Sequence, residues 1–205
     1  AVADHTYIAF LGPGLLAATA MQVAAGDTTW PVMAGIKWRR TYEAALSTPL
    51  TTRHIVYGHL LWTAIRLIFM AIIFAVVLAL FGSAPIGRGL LAVAPALLTG
   101  LAFAAPAMAM TAKLSDEQGI ITLFRFGIVP MFLFSGTFFP ITQLPDSLQT
   151  FAYFIPLWHG VELTRGMAID IGTSWWPAGH IAYLAFWITG GTLLAVRFLE
   201  KRMKP

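Results

Sequence analysis

Cysteine is absent from the chain, which at once removes disulfides, thiolate metal sites and cysteine nucleophiles. Charge is almost as scarce. Only 11% of the 205 residues are Asp, Glu, Lys or Arg, where a soluble domain carries about a quarter. There is no GxxxxGK[ST] run, so the phosphate-cradling loop of many ATPases is missing from this chain. HExxH and comparable ligand clusters are missing too. His159 and Glu162 lie three apart, with His180 the only other donor nearby, too few to define a metal site. Ser135, Ser147 and Ser174 lack an evident His/Asp constellation. The start AVADHTYIAF has no basic n-region, so no cleavable signal peptide is expected.

What is present is apolar. The hydrophobic fraction is 58% and the mean hydropathy +0.76. These values point to an all-α fold, a polytopic transmembrane helical bundle forming one domain over residues 1–205. The net charge of +4 does not argue for nucleic acid, because the cations gather between apolar runs as topology signals do.

Five spans are visible. The first runs from about Tyr7 to Trp30, with Pro31 closing it and Asp27 in its last turn. Asp27 reads as a carboxylate near cytoplasmic water, or as a proton-coupling acid. The second covers about Leu60 to Phe81. It carries Arg66, which either snorkels to the interface or pairs with another helix. The third, about Leu90 to Ala112, has Ala92, Ala96, Gly100 and Ala104 four apart, a ladder that lets helix backbones approach closely. The fourth, about Gly119 to Phe138, carries Arg125, with Asp116 and Glu117 as its nearest candidate partners. The fifth runs from about Trp176 to Phe198.

The charges orient the bundle. Lys37, Arg39, Arg40, Arg53, Lys113, Arg125, Arg197, Lys201, Arg202 and Lys204 fall on one side, and only Arg88 and Arg165 on the other. By the positive-inside rule the first group is cytoplasmic. Ala1 is then outside and Pro205 inside, and a sixth span upstream of Ala1 is expected.

Two segments between spans stand out. In KWRRTYEAALSTPLTTRHIVYGH, from Lys37 to His59, Thr41 to Leu46 reads as a short helix. Pro49 ends it, and Thr51 or Thr52 caps the helix that follows. This stretch is either a basic loop on anionic lipid or a docking helix for a cytoplasmic partner. From Phe134 to Gly166 the chain is apolar yet cut by Pro140, Pro145 and Pro156 into pieces too short to span. It reads as re-entrant or interfacial helices, one over Asp146 to Ile155 and another after Pro156. Glu162 and Arg165 read as a surface pair at i,i+3.

FLFSGTFFPITQLPDSLQTFAYFIPLWHGVELTRG (Phe132 to Gly166) resembles the outer segment of type-2 ABC export permeases. YIAFLGPGLLAATAMQ, RRTYEAALSTPLTTRHIVYGHLLW, LLTGLAFAAPAMA and FRFGIVPMFLFSGTFFP resemble that family in the same order. The similarity is greatest to nodulation lipo-oligosaccharide export permeases and daunorubicin-resistance permeases. The resemblance implies six spans, the first lying before Ala1, and a permease subunit in the bacterial plasma membrane. It implies a coupling helix over about 39–52, with Arg39, Arg40, Glu43, Leu46, Thr48, Pro49 and Leu50 meeting a separate ATPase. It also implies a re-entrant outer segment over about 139–168. There Phe138, Phe139, Pro140, Pro145, Phe151, Pro156, Trp158, His159, Glu162 and Arg165 would form a gate. Two permease chains, identical or paralogous, and two ATPase chains would make the unit, among membrane lipids. ATP and Mg²⁺ would sit on the ATPase, with no cofactor in this chain. Two other readings stand beside this one: a lipid-modifying membrane enzyme using His159, Glu162 and Arg165, and an ion-coupled carrier using Asp27.

Overall fold

The computed structural model describes residues 7–203. The expectations for Ala1, Lys204 and Pro205 therefore lie outside the described residues. The order of elements is α1 (Tyr7–Met33), α2 (Thr41–Leu46), α3 (Thr52–Leu80), α4 (Ile86–Leu91), α5 (Val93–Lys113), α6 (Glu117–Leu123), α7 (Val129–Phe134), α8 (Asp146–Tyr153), α9 (Pro156–Ile169) and α10 (Pro177–Met203). A π-helical turn, Ala34–Trp38, extends α1, and a second, Phe124–Ile128, joins α6 to α7. Among the described residues, five helical runs are long and apolar enough to cross a membrane: Tyr7–Trp38, Thr52–Leu80, Ile86–Lys113, Glu117–Phe134 and Pro177–Met203.

Several helix ends differ from the sequence expectation, each for a local reason. Pro31 does not close the first span. The helix passes through it to Met33 and widens into the π turn, where Arg39 N donates to Ala34 O at 2.8 Å. The helix of the second span begins at Thr52, eight residues before the apolar run from Leu60, with Thr51 as the expected cap: Thr51 N donates to His54 Nδ1 at 3.0 Å. The fourth span stops at Phe134. Its π turn precedes Pro130, whose ring would strike the carbonyl of Phe126 in a regular helix.

α1 and α5 form the buried axis. Lipid tails are as apolar as leucine, so contact between spans rests on close packing of small residues. The α5 ladder does this. Ala92, Ala96 and Ala104 are fully buried with Leu16, Ala20, Leu67 and Ala71 of α1 and α3. A methyl group added at Gly100 would lie 2.5 Å from Leu67 Cδ1 and 3.2 Å from Ala20 O. On its other side α5 meets α10 in the most extensive helix pairing of the fold. There Gly191 lies so close to Pro106 that an added Cβ would sit 2.6 Å from both the Pro106 nitrogen and its Cδ. The fourth span is held most loosely, with 11% of its apolar window buried.

The two ends of the bundle differ chemically. At the basic end, Val32, Ile36, Val56, Met108, Ala112, Ala195 and Leu199 close the core, with Lys37, Lys113 and Lys201 around them. The opposite end carries the turn after α3, the segment from Ser135 to Ile155, and α9.

Candidate functional site

At the basic end, α2 occupies the residues expected of a short docking helix, Thr41–Leu46. Tyr42 anchors it. The phenol packs in the cluster of Val32, Ile36, Val56 and Leu199, and a Cβ at Gly35 would be 2.8 Å from its Cε1. Burial pushes the Tyr42 hydroxyl up to about 12. The rest of the segment faces outward: Arg39, Arg40, Glu43, Thr48, Pro49 and Leu50 are exposed and Leu46 half-buried. Arg40 enters α2 with φ of 49°, a left-handed conformation costing a non-glycine residue roughly 1–2 kcal/mol. Ser47 and Thr48 end the helix by turning their hydroxyls onto the carbonyls of Glu43 and Ala45, at 3.1 and 2.6 Å. Lys37 reaches Glu117 at 3.6 Å, linking the π turn of α1 to the start of α6. One rigid segment thus joins the ends of α1 and α3 and touches α6, while presenting an uncovered polar and basic face.

Glu117 was among the carboxylates expected for Arg125. Its turn towards Lys37 leaves Arg125 with no acid within 4 Å among the described residues. Arg66 pairs with Asp27 at 2.6 Å rather than snorkelling alone. His59 Nε2, about two turns before Arg66 on α3, lies 2.8 Å from the Asp27 carbonyl and adds a second α1–α3 link.

At the opposite end the chain leaves α7 through Ser135 and Gly136. Gly136 has φ of +77°, accessible cheaply only to glycine, and an added Cβ would lie 2.9 Å from Ile141. A 3-10 turn, Ile141–Gln143, leads to α8, which begins immediately after Pro145. Pro156 opens α9, where its missing N–H costs nothing.

Arg165 does not form the expected surface pair with Glu162. It is 5% exposed. Its Nε donates to Phe10 O at 3.1 Å and an Nη to Thr137 O at 2.8 Å, and the guanidinium lies 3.7 Å from the Phe10 ring centre. Hydrogen bonds from a charged donor contribute about 1.5–3 kcal/mol each, against a burial cost of several kcal/mol for the cation. Burial draws the guanidinium down to about 10, still protonated at neutral pH. Arg165 therefore staples α9 to α1 and to the turn at Thr137. The Glu162 carboxylate goes elsewhere, accepting from Ser174 N and Oγ at 2.9 and 2.7 Å.

A cavity of about 270 Å³ opens here, lined by Phe10, Pro140, Thr142, Trp158, Glu162 and Arg165 among others. Of the ten residues expected to form the gate, four line it. Phe138 lies behind, edge-to-face with Phe132 at 4.9 Å, and Phe139 is half-buried. Pro145 and Phe151 are exposed around α8, and Pro156 is buried at the start of α9.

His159 is fully buried with His180 from α10, their Nδ1 atoms 2.9 Å apart. His159 Nε2 lies 3.0 Å from the Tyr153 carbonyl and so must carry a proton. With both rings neutral, His180 then donates to His159, and its own Nε2 lacks a partner among the described residues. Trp158, Trp175 and Tyr183 enclose the pair, Tyr183 stacked on His159 at 4.1 Å. Burial pushes the His159 imidazole down to about 4. No cluster of three or more metal-binding side chains occurs among the described residues. Phe10, Thr137, Trp175 and His180 escape a linear reading because their partners lie far away in the chain.

Residues 3–169 match the family described as ABC-2 type transporter. The chain is similar to Nodulation protein J of Sinorhizobium fredii, 34% identical over 201 residues, covering 96% of this chain and 75% of the relative. Nodulation protein J of Rhizobium meliloti is 33% identical over 201 residues, covering 98% of this chain and 76% of the relative. That of Bradyrhizobium diazoefficiens is 35% identical over 173 residues, covering 84% and 66%.

Proposed function

Because the chain belongs to the ABC-2 type transporter family, and so is an integral membrane subunit of an ABC transporter working with ABC ATPase subunits, we propose that it is an export permease. The observation that carries this reading is α2: a short helix anchored through Tyr42, continuous with two spans, and showing Arg39, Arg40, Glu43, Thr48, Pro49 and Leu50 outward. In this reading the basic end is cytoplasmic, in the inner membrane of a bacterium, and α2 seats in a cleft of the ATPase. ATP and Mg²⁺ are bound by that partner. Two copies of the permease, or this chain and a paralogue, combine with two ATPases.

ATP binding closes the ATPase pair and displaces α2. The load passes through the π turn to α1 and through the Thr51 cap to α3. α1 carries Phe10 at its far end, where Arg165 ties it to α9. Docking and the outer segment are thus mechanically continuous, which a nucleotide-biased two-state change requires. The cargo is amphipathic or lipid-like. A crevice of about 190 Å³ between α5, the fourth span and α10 supports this, walled by Phe103, Pro106, Met110, Leu123, Met131 and Trp187. The loosely held fourth span is the side from which such a cargo enters. It leaves past Pro140, Trp158 and Arg165.

The test is co-purification. Arg40→Glu with Glu43→Lys should separate the permease from its ATPase while leaving its thermal unfolding unchanged. Unaltered assembly and transport in that variant would refute docking through α2.

A further inference from the structure

The basic end holds a second feature, independent of α2. A hollow of about 520 Å³ lies between the last turn of α5 and the last turns of α10, with Lys113, Lys201 and Arg202 in its walls. Two of these cations are held in place. Arg202 Nη1 donates to the carbonyls of Thr111 at 3.3 Å, Ala112 at 3.0 Å and Leu114, satisfying the end of α5. Lys113 Nζ lies 4.7 Å from the centre of the Phe198 ring. None of the three has a carboxylate within 4 Å among the described residues, whereas Lys37, Arg66 and Arg88 each do. Arg202 Nε and Nη2 make no hydrogen bond among the described residues, leaving one edge of the guanidinium free.

The surroundings are those of a membrane surface. Met110 and Leu194, one turn inward on α5 and α10, are exposed and apolar. A ligand carrying an anion and long hydrocarbon chains meets both features at once: the cations take the anion, and the chains run along Met110 and Leu194. Guanidinium and ammonium groups with no carboxylate within 4 Å among the described residues, at the depth where spans end, match a phosphate ester. We propose that the hollow formed by Lys113, Phe198, Lys201 and Arg202 binds the phosphate of an anionic phospholipid from the adjacent leaflet. The positions of Lys113 and Arg202 are set before the lipid arrives, by the Phe198 ring and the carbonyls at the end of α5.

The experiment is native mass spectrometry of the full chain, released from detergent after titration with phosphatidylglycerol, phosphatidylcholine or inorganic phosphate. Phosphatidylglycerol should be retained and phosphatidylcholine lost. Lys113→Gln with Lys201→Gln should weaken retention about thirtyfold, taking each surface cation at its usual contribution near an anionic lipid. Lys201→Gln alone, which removes no hydrogen bond or ion pair among the described residues, should give a part of that loss. Arg53→Gln with Arg125→Gln removes the same charge outside the hollow and should leave retention near wild type. Equal losses in the two double variants would overturn the proposal in favour of diffuse attraction. Inorganic phosphate competing as well as the lipid would overturn the lipid as occupant.

Discussion

Gly190 and Gly191 are neighbours on α10, and replacing each with alanine separates two effects that usually act together. Alanine is the better helix former by about 0.8–1 kcal/mol, and that gain applies at both positions. The surroundings do not match. A Cβ at Gly190 meets nothing within 4 Å, whereas at Gly191 it lands 2.6 Å from Pro106 N and Cδ and 2.9 Å from Ala105 C. Two of those three atoms are backbone, so no rotamer change relieves the clash. To reach ordinary contact, α5 and α10 must part by roughly 1 Å, and overpacking of this kind costs about 1–3 kcal/mol. Lost close packing along the pair adds to that, because small-residue contact is what holds spans together in lipid. Gly190→Ala should therefore be neutral or stabilising by up to about 1 kcal/mol. Gly191→Ala should be destabilising by about 1–2 kcal/mol after its propensity gain. The assay is reversible unfolding in mixed micelles, followed by tryptophan fluorescence. Equal effects of the two substitutions would refute the close α5–α10 contact and the rigid-pair reasoning built on it.

Three further outcomes are expected. Arg165→Met keeps the volume but loses two charged hydrogen bonds and should cost about 2–3 kcal/mol. A neutral or stabilising result would show that desolvation outweighs the staple. Arg66→Gln leaves the largely buried Asp27 carboxylate without its ion-pair partner and should cost about 2 kcal/mol, with Asp27→Asn/Arg66→Gln recovering more than half. The comparison is made by thermal unfolding, and no recovery would mean that the 2.6 Å pair is not coupled. His159 sits on α9, outside the five spans, and its imidazole is held down to about 4 by burial. The unfolded chain binds that proton at about 6.5. The stability His159 contributes is thus complete above about pH 6.5 and falls as pH drops towards 4. His159→Gln should flatten that limb of an unfolding-versus-pH curve, and an unchanged slope would rule His159 out as its source.

The sequence carries local features of this fold well and distant ones poorly. Thr41–Leu46 was readable because Pro49 stops it and Tyr42, Ala45 and Leu46 share a side. The division of the outer segment at Pro156 and the α5 ladder were readable for similar reasons, being set by proline and by spacing. Arg165 was misread as the partner of Glu162 because three residues of separation is the signal visible in one dimension. Its acceptors come from Phe10 and Thr137, 155 and 28 residues away, and no periodicity encodes them. Arg66 and Arg125 show the same limit. The partner of Arg66 lies on another helix, α1, and the acid nearest Arg125 in sequence is drawn away by Lys37 at the end of α1. The His159–His180 contact joins two isolated histidines of which the sequence shows only the types.

The pairing of α5 with α10 has a consequence for biosynthesis. α5 is complete at Lys113, but α10 begins at Pro177, so its main partner emerges roughly sixty residues later, or about 3–12 s at ordinary elongation rates. During that interval the face of α5 around Pro106 has no permanent neighbour. In the nascent chain α5 therefore stays half-covered until α10 is made. Cellular quality control would then respond most strongly to damage in α10, even where that damage lies far from both α2 and the outer segment.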